Sequence, residues 1–262
     1  MAITDPLALQ VLAIAKEAGD KIMEIYDRDF AIYEKQDTSP LTEADLAAHK
    51  SIVAGLKAIS ELPILSEESA DISWDERKTW DKYWLVDPLD GTKEFIKKNG
   101  EFTVNIALID GGKPIMGVVY APALSKSYVG VVGQGAWTET AEGVNSISAK
   151  PHQPGELWKV VGSRSHQSPE IQNLLAQLEG ETELVAMGSS LKLCLVAEGE
   201  AHLYPRLGPT SEWDTGAAHA VALAAGADVT VLDAADPLNS DAEALTYNQK
   251  ESVLNPYFLV SA

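Results

Sequence analysis

From Phe102 to Leu108 the chain sets Phe102, Val104, Ile106 and Leu108 at every second position, with Thr103, Asn105 and Ala107 between them. That is the two-residue period of a strand, not the 3.6-residue period of a helix. Asp110, Gly111 and Gly112 then lead into a second apolar run, Ile115 to Tyr120, so the pair reads as a β-hairpin. A further strand over Tyr128 to Val132 ends at Gly133, Gln134 and Gly135. This half of the chain must therefore build a largely antiparallel sheet.

Helices come before it. Asp5 and Pro6 suit a cap and a first turn, and Leu9, Leu12, Ile14, Ile22 and Ile25 line one face of an amphipathic helix. Lys16, Glu17, Asp20, Lys21 and Glu24 interrupt the same run, which excludes a membrane span. Thr42 to Asp45 resembles a capping box opening a second helix through Leu46, Ile52, Val53, Leu56 and Ile59. After a Gly, Ser and Pro rich stretch from Gly143 to Gly155, short strands (Val160 to Val161, Leu184 to Met187, His202 to Tyr204) alternate with helices (Pro169 to Leu178, Leu191 to Ala197, Thr215 to Ala225). The expected architecture is α+β over residues 1–150 and α/β over 151–262, with a soft boundary near Lys150.

Composition narrows the partners. Lys and Arg total 20 against 39 Asp and Glu, a formal charge of −19, which opposes nucleic-acid polymers and anionic membrane surfaces. Cys194 is the one cysteine, so no internal disulfide is possible, and a reducing cytoplasm is the expected compartment.

The segment Trp84 to Thr92 carries the chemistry: an apolar strand runs into Asp87, Pro88, Asp90 and Gly91. Two acids three apart, across a turn fixed by Pro88, can converge on one point, and Gly91 permits close backbone approach. Hard oxygen ligands of this kind suit Mg2+. If Gly91 and Thr92 open a helix or turn, their N–H groups can cradle phosphate oxygens. A solvated turn explains the same dipeptides, since Asp-Pro and Asp-Gly are common turn formers. Two other segments share the pattern: Ile64 to Glu68 is an apolar strand ending in acids, and Glu212 to Asp214 precedes an Ala-rich helix, where an Asp is usually a cap.

These residues resemble the inositol monophosphatase superfamily of Mg2+-dependent, lithium-sensitive phosphatases. Trp84 to Phe95 (WLVDPLDGTKEF) is similar to its first signature and Trp213 to Ala227 (WDTGAAHAVALAAGA) to its second. The likeness extends to Ser39 to Asp45, Leu65 to Ser69, Phe95 to Ile109 and Gly188 to Arg206, and the last two segments look most like bacterial 3'(2'),5'-bisphosphate nucleotidases of the CysQ type. Gly216 departs from the Ala or Cys usual in the second signature. The fold implied is the layered αβαβα sandwich of the sugar phosphatases.

Residue by residue, the resemblance implies that Glu67, Asp87, Asp90, Asp214 and the main-chain carbonyl of Leu89 hold two or three Mg2+ ions. Glu67 is preferred to Glu68, which would face outward if its strand continued. Asp45 and Thr92 match the pair that orients and deprotonates the attacking water, although spacing alone makes Asp45 a capping residue. Substrate contacts fall to Glu67, Leu89, Asp90, Gly91, Thr92, Ser189, Lys192, Arg206 and Asp214, with His166 near the base. Residues 1–150 thus carry most metal ligands, and 151–262 carry Asp214 and the substrate-selecting residues. The other histidines, His49, His152, His202 and His219, lack metal-like spacing and are expected to pack or face solvent.

The reaction implied is hydrolysis of the 3'-phosphate of adenosine 3',5'-bisphosphate to AMP, with the sulfated analogue PAPS as a second substrate and a link to sulfur assimilation. An inositol monophosphatase with the same metal core is the nearest alternative. A non-catalytic acidic cation-binding protein is another, but it would not need Asp45 and Thr92. The partner expected is a small bisphosphate nucleotide. A monomer or homodimer is expected in the cytoplasm, with peripheral attachment to the cytoplasmic face of the inner membrane left open.

Overall fold

The computed structural model describes residues 3–30, 32–34, 40–162 and 169–262, so His166 and Ser39 lie outside the described residues. Helix α1 (Pro6–Tyr26) is followed by a short ribbon of β1 (Ile32–Glu34) and β2 (Pro40–Thr42), helix α2 (Glu43–Ile59), strand β3 (Ile64–Ser66), a 3-10 turn (Glu67–Ser69) and helix α3 (Trp74–Arg77). Strand β4 (Lys82–Asp90) leads through helix α4 (Thr92–Ile96) into the hairpin of β5 (Thr103–Asp110) and β6 (Lys113–Ala121), then β7 (Lys126–Val131), β8 (Gly135–Thr140) and β9 (Gly143–Ile147). The rest runs β10 (Trp158–Gly162), α5 (Pro169–Gln177), β11 (Thr182–Ala186), α6 (Leu191–Ala197), β12 (Leu203–Arg206), α7 (Glu212–Ala224), β13 (Asp228–Val231) and β14 (Phe258–Ser261).

Among the described residues, β3 to β9 form a seven-stranded sheet in sequence order, antiparallel except for β3 beside β4. A mixed five-stranded sheet has the order β11, β10, β12, β14, β13. Alternation in β4 and β5 sorts the layers. Trp84, Val86, Val104, Ile106 and Leu108 join the core under α1 and α2, while Tyr83, Leu85, Ala107 and Ile109 join the core shared with α6 and α7. Leu174 of α5 packs with Val160, Leu203 and Leu259 in a third cluster against the smaller sheet. Five layers result, helix, sheet, helix, sheet, helix, which is the expected sandwich.

Three sequence readings are corrected. Gly143–Ile147, read only as the start of a Gly, Ser and Pro rich stretch, is β9, an exposed edge strand that takes the first sheet two strands past β7. Asp87 and Asp90 do not flank a turn. Both belong to β4, and the pairing with β5 shifts register between them, where Pro88 has no N–H for the ladder. The strand before Glu67 stops at Ser66, so Glu67 and Glu68 lie on a 3-10 turn, both half-buried, and no strand alternation separates them.

Helix α7 packs with its backbone close against the first sheet. A Cβ on Gly117 of β6 would lie 2.0 Å from the Ala217 carbonyl oxygen, and one on Gly130 of β7 would lie 2.5 Å from Val221 Cα. Two glycines facing one helix let its backbone rest directly on the sheet. Among the described residues no helix is long and apolar enough to cross a membrane.

Candidate active site

Four elements meet at one point. β4 ends in Asp87 and Asp90. The turn after β3 brings Glu67, and the first turn of α7 brings Asp214, which closes a capping box by accepting the Ser211 N–H at 2.9 Å. Carboxylate oxygens of Asp87, Asp90 and Asp214 all lie within 4.8 Å of one another. Glu67 joins them through a hydrogen bond to Asp87.

Electrostatics mark this cluster as unfinished. Burial holds the Asp87 carboxyl well above its ordinary range, reinforced by the charges of Glu67, Asp90 and Asp214. Burial pushes Asp90 up to about 6, against the pull of Lys192 and the Ser190 N–H. Asp214 reaches about 8, through burial and then Asp90. Buried carboxylates this close are stable as anions only beside a countercharge. An all-oxygen donor set fits a hard divalent cation.

Gly91 adopts φ +89° as the N-cap of α4, a left-handed conformation open to glycine at little cost. A Cβ there would also press on the Glu101 carbonyl oxygen at 3.0 Å. The turn aims the Thr92 hydroxyl at two acceptors, Asp45 Oδ1 and the Leu89 carbonyl, each at 3.3 Å. Asp45 Oδ2 is held by the Thr42 N–H at 2.8 Å and by the Thr42 hydroxyl at 2.5 Å. One oxygen of Asp45 thus caps α2 and the other faces Thr92. The Leu89 N–H bonds Asp87 Oδ1 at 3.0 Å, which ties that carboxylate to the irregular end of β4.

A cavity of about 700 Å3 opens onto Asp90, Gly91 and Asp214 and is lined as well by Ser189, Lys192 and Arg206. Ser189, Lys192 and Arg206, expected from the second half to contact substrate, share this wall. Burial lowers the Lys192 pKa while Asp90 pulls it back up, and its Nζ sits 5.9 Å from the Tyr204 ring centroid. Arg206 donates from Nε to Gly208 O and from Nη2 to Pro209 O, so part of its guanidinium is committed to the loop.

Sequence reasoning missed several neighbours. Lys93 of α4 and Lys97 just after it also line the cavity. Thr103 and Asn105 bond the side chain of Ser190, which the sequence does place with Ser189 and Lys192 at a helix start as a seat for a second phosphate, and whose N–H donates to Asp90 Oδ2 at 2.5 Å. Polar residues on one face of an otherwise apolar strand were the available signal. His49, expected to pack or face solvent, packs with Nδ1 2.9 Å from the hydroxyl of buried Ser66, the residue before Glu67. Cys194 is fully buried in the core between the sheets, where burial pushes its thiol pKa up, so it is no nucleophile.

The chain belongs to the inositol monophosphatase family, whose model matches residues 4–257. The family is metal-dependent, in keeping with the acidic cluster. Among its relatives, the 3'(2'),5'-bisphosphate nucleotidase CysQ of Salmonella typhimurium is 50% identical over 255 residues, 96% of this chain and 98% of that protein. The Escherichia coli protein of that name is 51% identical with the same coverage. The crystal structure of CysQ from Bacteroides thetaiotaomicron superposes with a TM-score of 0.83 at 43% identity, covering 98% of this chain and 97% of that one.

Proposed function

We propose that this protein is a Mg2+-dependent 3'(2'),5'-bisphosphate nucleotidase that hydrolyses adenosine 3',5'-bisphosphate to AMP and phosphate, with the phosphosulfate analogue PAPS as a second substrate in sulfur assimilation. Near-full-length identity of about half to nucleotidases supports the activity. The observation that carries the substrate is the shared cavity, in which Asp90 and Asp214 stand with the two cations Lys192 and Arg206.

Glu67, Asp87, Asp90, Asp214 and the Leu89 carbonyl are the oxygens that would hold Mg2+. Two or three ions held there would supply charge neutralisation at the phosphoryl group and a lowered pKa for water. The remaining work falls to the chain. Thr92 Oγ1 accepts the proton of the attacking water as its own passes to Asp45 Oδ1, and Thr42 keeps that carboxylate in place. The first N–H groups of α4, at Gly91 and Thr92, face the phosphoryl oxygens. Lys192 and Arg206, with Ser189, hold the phosphate that is not cleaved. Water adds to phosphorus as the bond to the 3'-oxygen breaks, and the leaving oxygen takes its proton from a solvent water in the open cavity, while the proton of the attacking water rests on Asp45.

The division near Lys150 belongs to the same proposal, with 1–150 supplying the hydrolytic residues and 151–262 supplying Asp214 and the selecting cations. Phosphate release in Mg2+ from adenosine 3',5'-bisphosphate and from inositol 1-phosphate tests the reading, with EDTA as control. The bisphosphate should be the better substrate, and EDTA should stop turnover. Preference for inositol 1-phosphate would assign the pocket to the other activity, and no turnover on either would remove the enzyme.

A further inference from the structure

Thr103, Asn105 and Ser190 close a ring of hydrogen bonds beside Asp90. Ser190 Oγ donates to Asn105 Oδ1 at 2.7 Å, Asn105 Nδ2 donates to Thr103 Oγ1 at 3.0 Å, and the two hydroxyl oxygens lie 2.8 Å apart. A hydroxyl has one proton to give. Ser190 spends its own on Asn105, so the third bond runs from Thr103 to Ser190, and each side chain gives one bond and takes one around the ring. All three are buried, with exposures of 0%, 1% and 2%.

The ring bridges two layers. Thr103 and Asn105 stand on β5 opposite Asp90 and Asp87 of β4. Ser190 is the N-cap of α6, yet its hydroxyl makes no capping bond to its own helix. A residue type favoured at that position for capping has its side chain turned to the sheet instead. Its backbone N–H meanwhile reaches Asp90 Oδ2. Ser189, just before it, is held in the left-handed region at φ +48°, so the approach to α6 is fixed against local preference.

We propose that this ring is a positioning unit: it locks the Ser190 N–H onto Asp90 and thereby sets the direction of that carboxylate relative to Lys192, two residues further along α6. A closed polar ring in an apolar core offers little stability over an apolar replacement, but it specifies direction. The inference rests on reading Asp90 as a metal-binding acid.

Thr103→Val preserves shape while removing the hydroxyl, which opens the ring: Asn105 Nδ2 keeps only the Thr103 carbonyl at 3.4 Å, and Ser190 Oγ loses the bond it accepts while still donating to Asn105. Thr103→Ser restores the ring. Mn2+ titration followed by electron paramagnetic resonance, without substrate, reads the carboxylate directly. Thr103→Val should raise the Mn2+ Kd about tenfold, as loss of an outer-shell partner does, and Thr103→Ser should return it to within about twofold of wild type. In turnover, kcat should fall by a similar ~10-fold while KM for adenosine 3',5'-bisphosphate stays within about threefold. If Thr103→Val does not fold, Ser190→Ala breaks the ring from the helix side with the same expected shifts. Unchanged Mn2+ affinity in a folded ring-broken variant, or equal losses in Thr103→Ser and Thr103→Val, would overturn the proposal. A wild type that shows the Mn2+ behaviour but hydrolyses no bisphosphate would sink the nucleotidase reading and leave the ring intact.

Discussion

Asp87, Asp90 and Asp214 hold protons far above the pH at which an exposed carboxyl loses them, and this has a consequence for stability. Their folded values are raised, to about 6 for Asp90 and about 8 for Asp214, so the folded state binds protons that the unfolded chain has already released. Stability from these groups is full below the unfolded value of about 3.9 and is lost as pH rises through the folded values. His219 has the opposite sign: burial pushes it down to about 3, so it costs stability only below its unfolded value. That value is about 6.5, so the interval from pH 6.5 to 8 reads mainly raised carboxyls: the cluster and, outside it, Glu212, which burial pushes up to about 7; the part that Mg2+ removes belongs to the cluster. Calorimetry in EDTA should show the melting temperature falling by about 3 °C across that interval. Mg2+ should flatten the slope, and a metal-free protein that is equally stable at both ends would contradict the cluster's electrostatics. Asp90→Asn should lose more turnover than the ~10–100-fold of an outer-shell partner, with a metal-free melting temperature equal to or above wild type. At this scale the sequence was legible where chemistry is local. Asp87 and Asp90 share one strand, and Thr92 follows them within a turn. The ring of Thr103, Asn105 and Ser190 was not legible, because it joins residues 85 and 87 apart whose pairing exists only once the layers stack.

Elements were readable in proportion to how much of their pattern comes from burial on one face. α1 and α2 carry long apolar stripes and capping signals, and both form where expected, α2 with its capping box complete. β9 escaped notice because its residues are exposed and follow no alternation. The stretch of β4 from Asp87 to Asp90 read as a turn because Pro88 and Gly91 are turn formers, whereas pairing with β5 carries the strand on through a register shift. Gly117 and Gly130 gave no signal at all, having neither turn neighbours nor positive φ. Their role is to admit α7, whose first turn bears Asp214. Gly117→Ala would force a side chain into the Ala217 carbonyl and should destabilise the fold by about 1–3 kcal/mol. Chemical denaturation measures that loss, and kcat should fall with it as Asp214 moves. A variant as stable and active as wild type would show that the helix can lift off without consequence.

Across the whole molecule, a formal charge of −19 surrounds a cavity that must admit a doubly phosphorylated anion. The excess that repels polyanions includes the acids that draw divalent cations, and Lys192 and Arg206 add fixed positive charge on the same wall. The two layers of sheet meet at this cavity, and the proposed function assigns hydrolysis mainly to the first and selection mainly to the second. Lys192→Met should raise KM for adenosine 3',5'-bisphosphate about tenfold or more, the worth of one charge-assisted bond, and leave hydrolysis of 3'-AMP nearly unchanged, since that substrate lacks the second phosphate. Equal losses on both substrates would move Lys192 from selection to hydrolysis. The most direct test of the account is the identity of the nucleotide product. With Mg2+ and adenosine 3',5'-bisphosphate, chromatography should find 5'-AMP and phosphate in equal amounts and no 3'-AMP. Accumulation of 3'-AMP, or an intact bisphosphate, would contradict the placement of the 3'-phosphate at the carboxylates and the 5'-phosphate at Lys192 and Arg206.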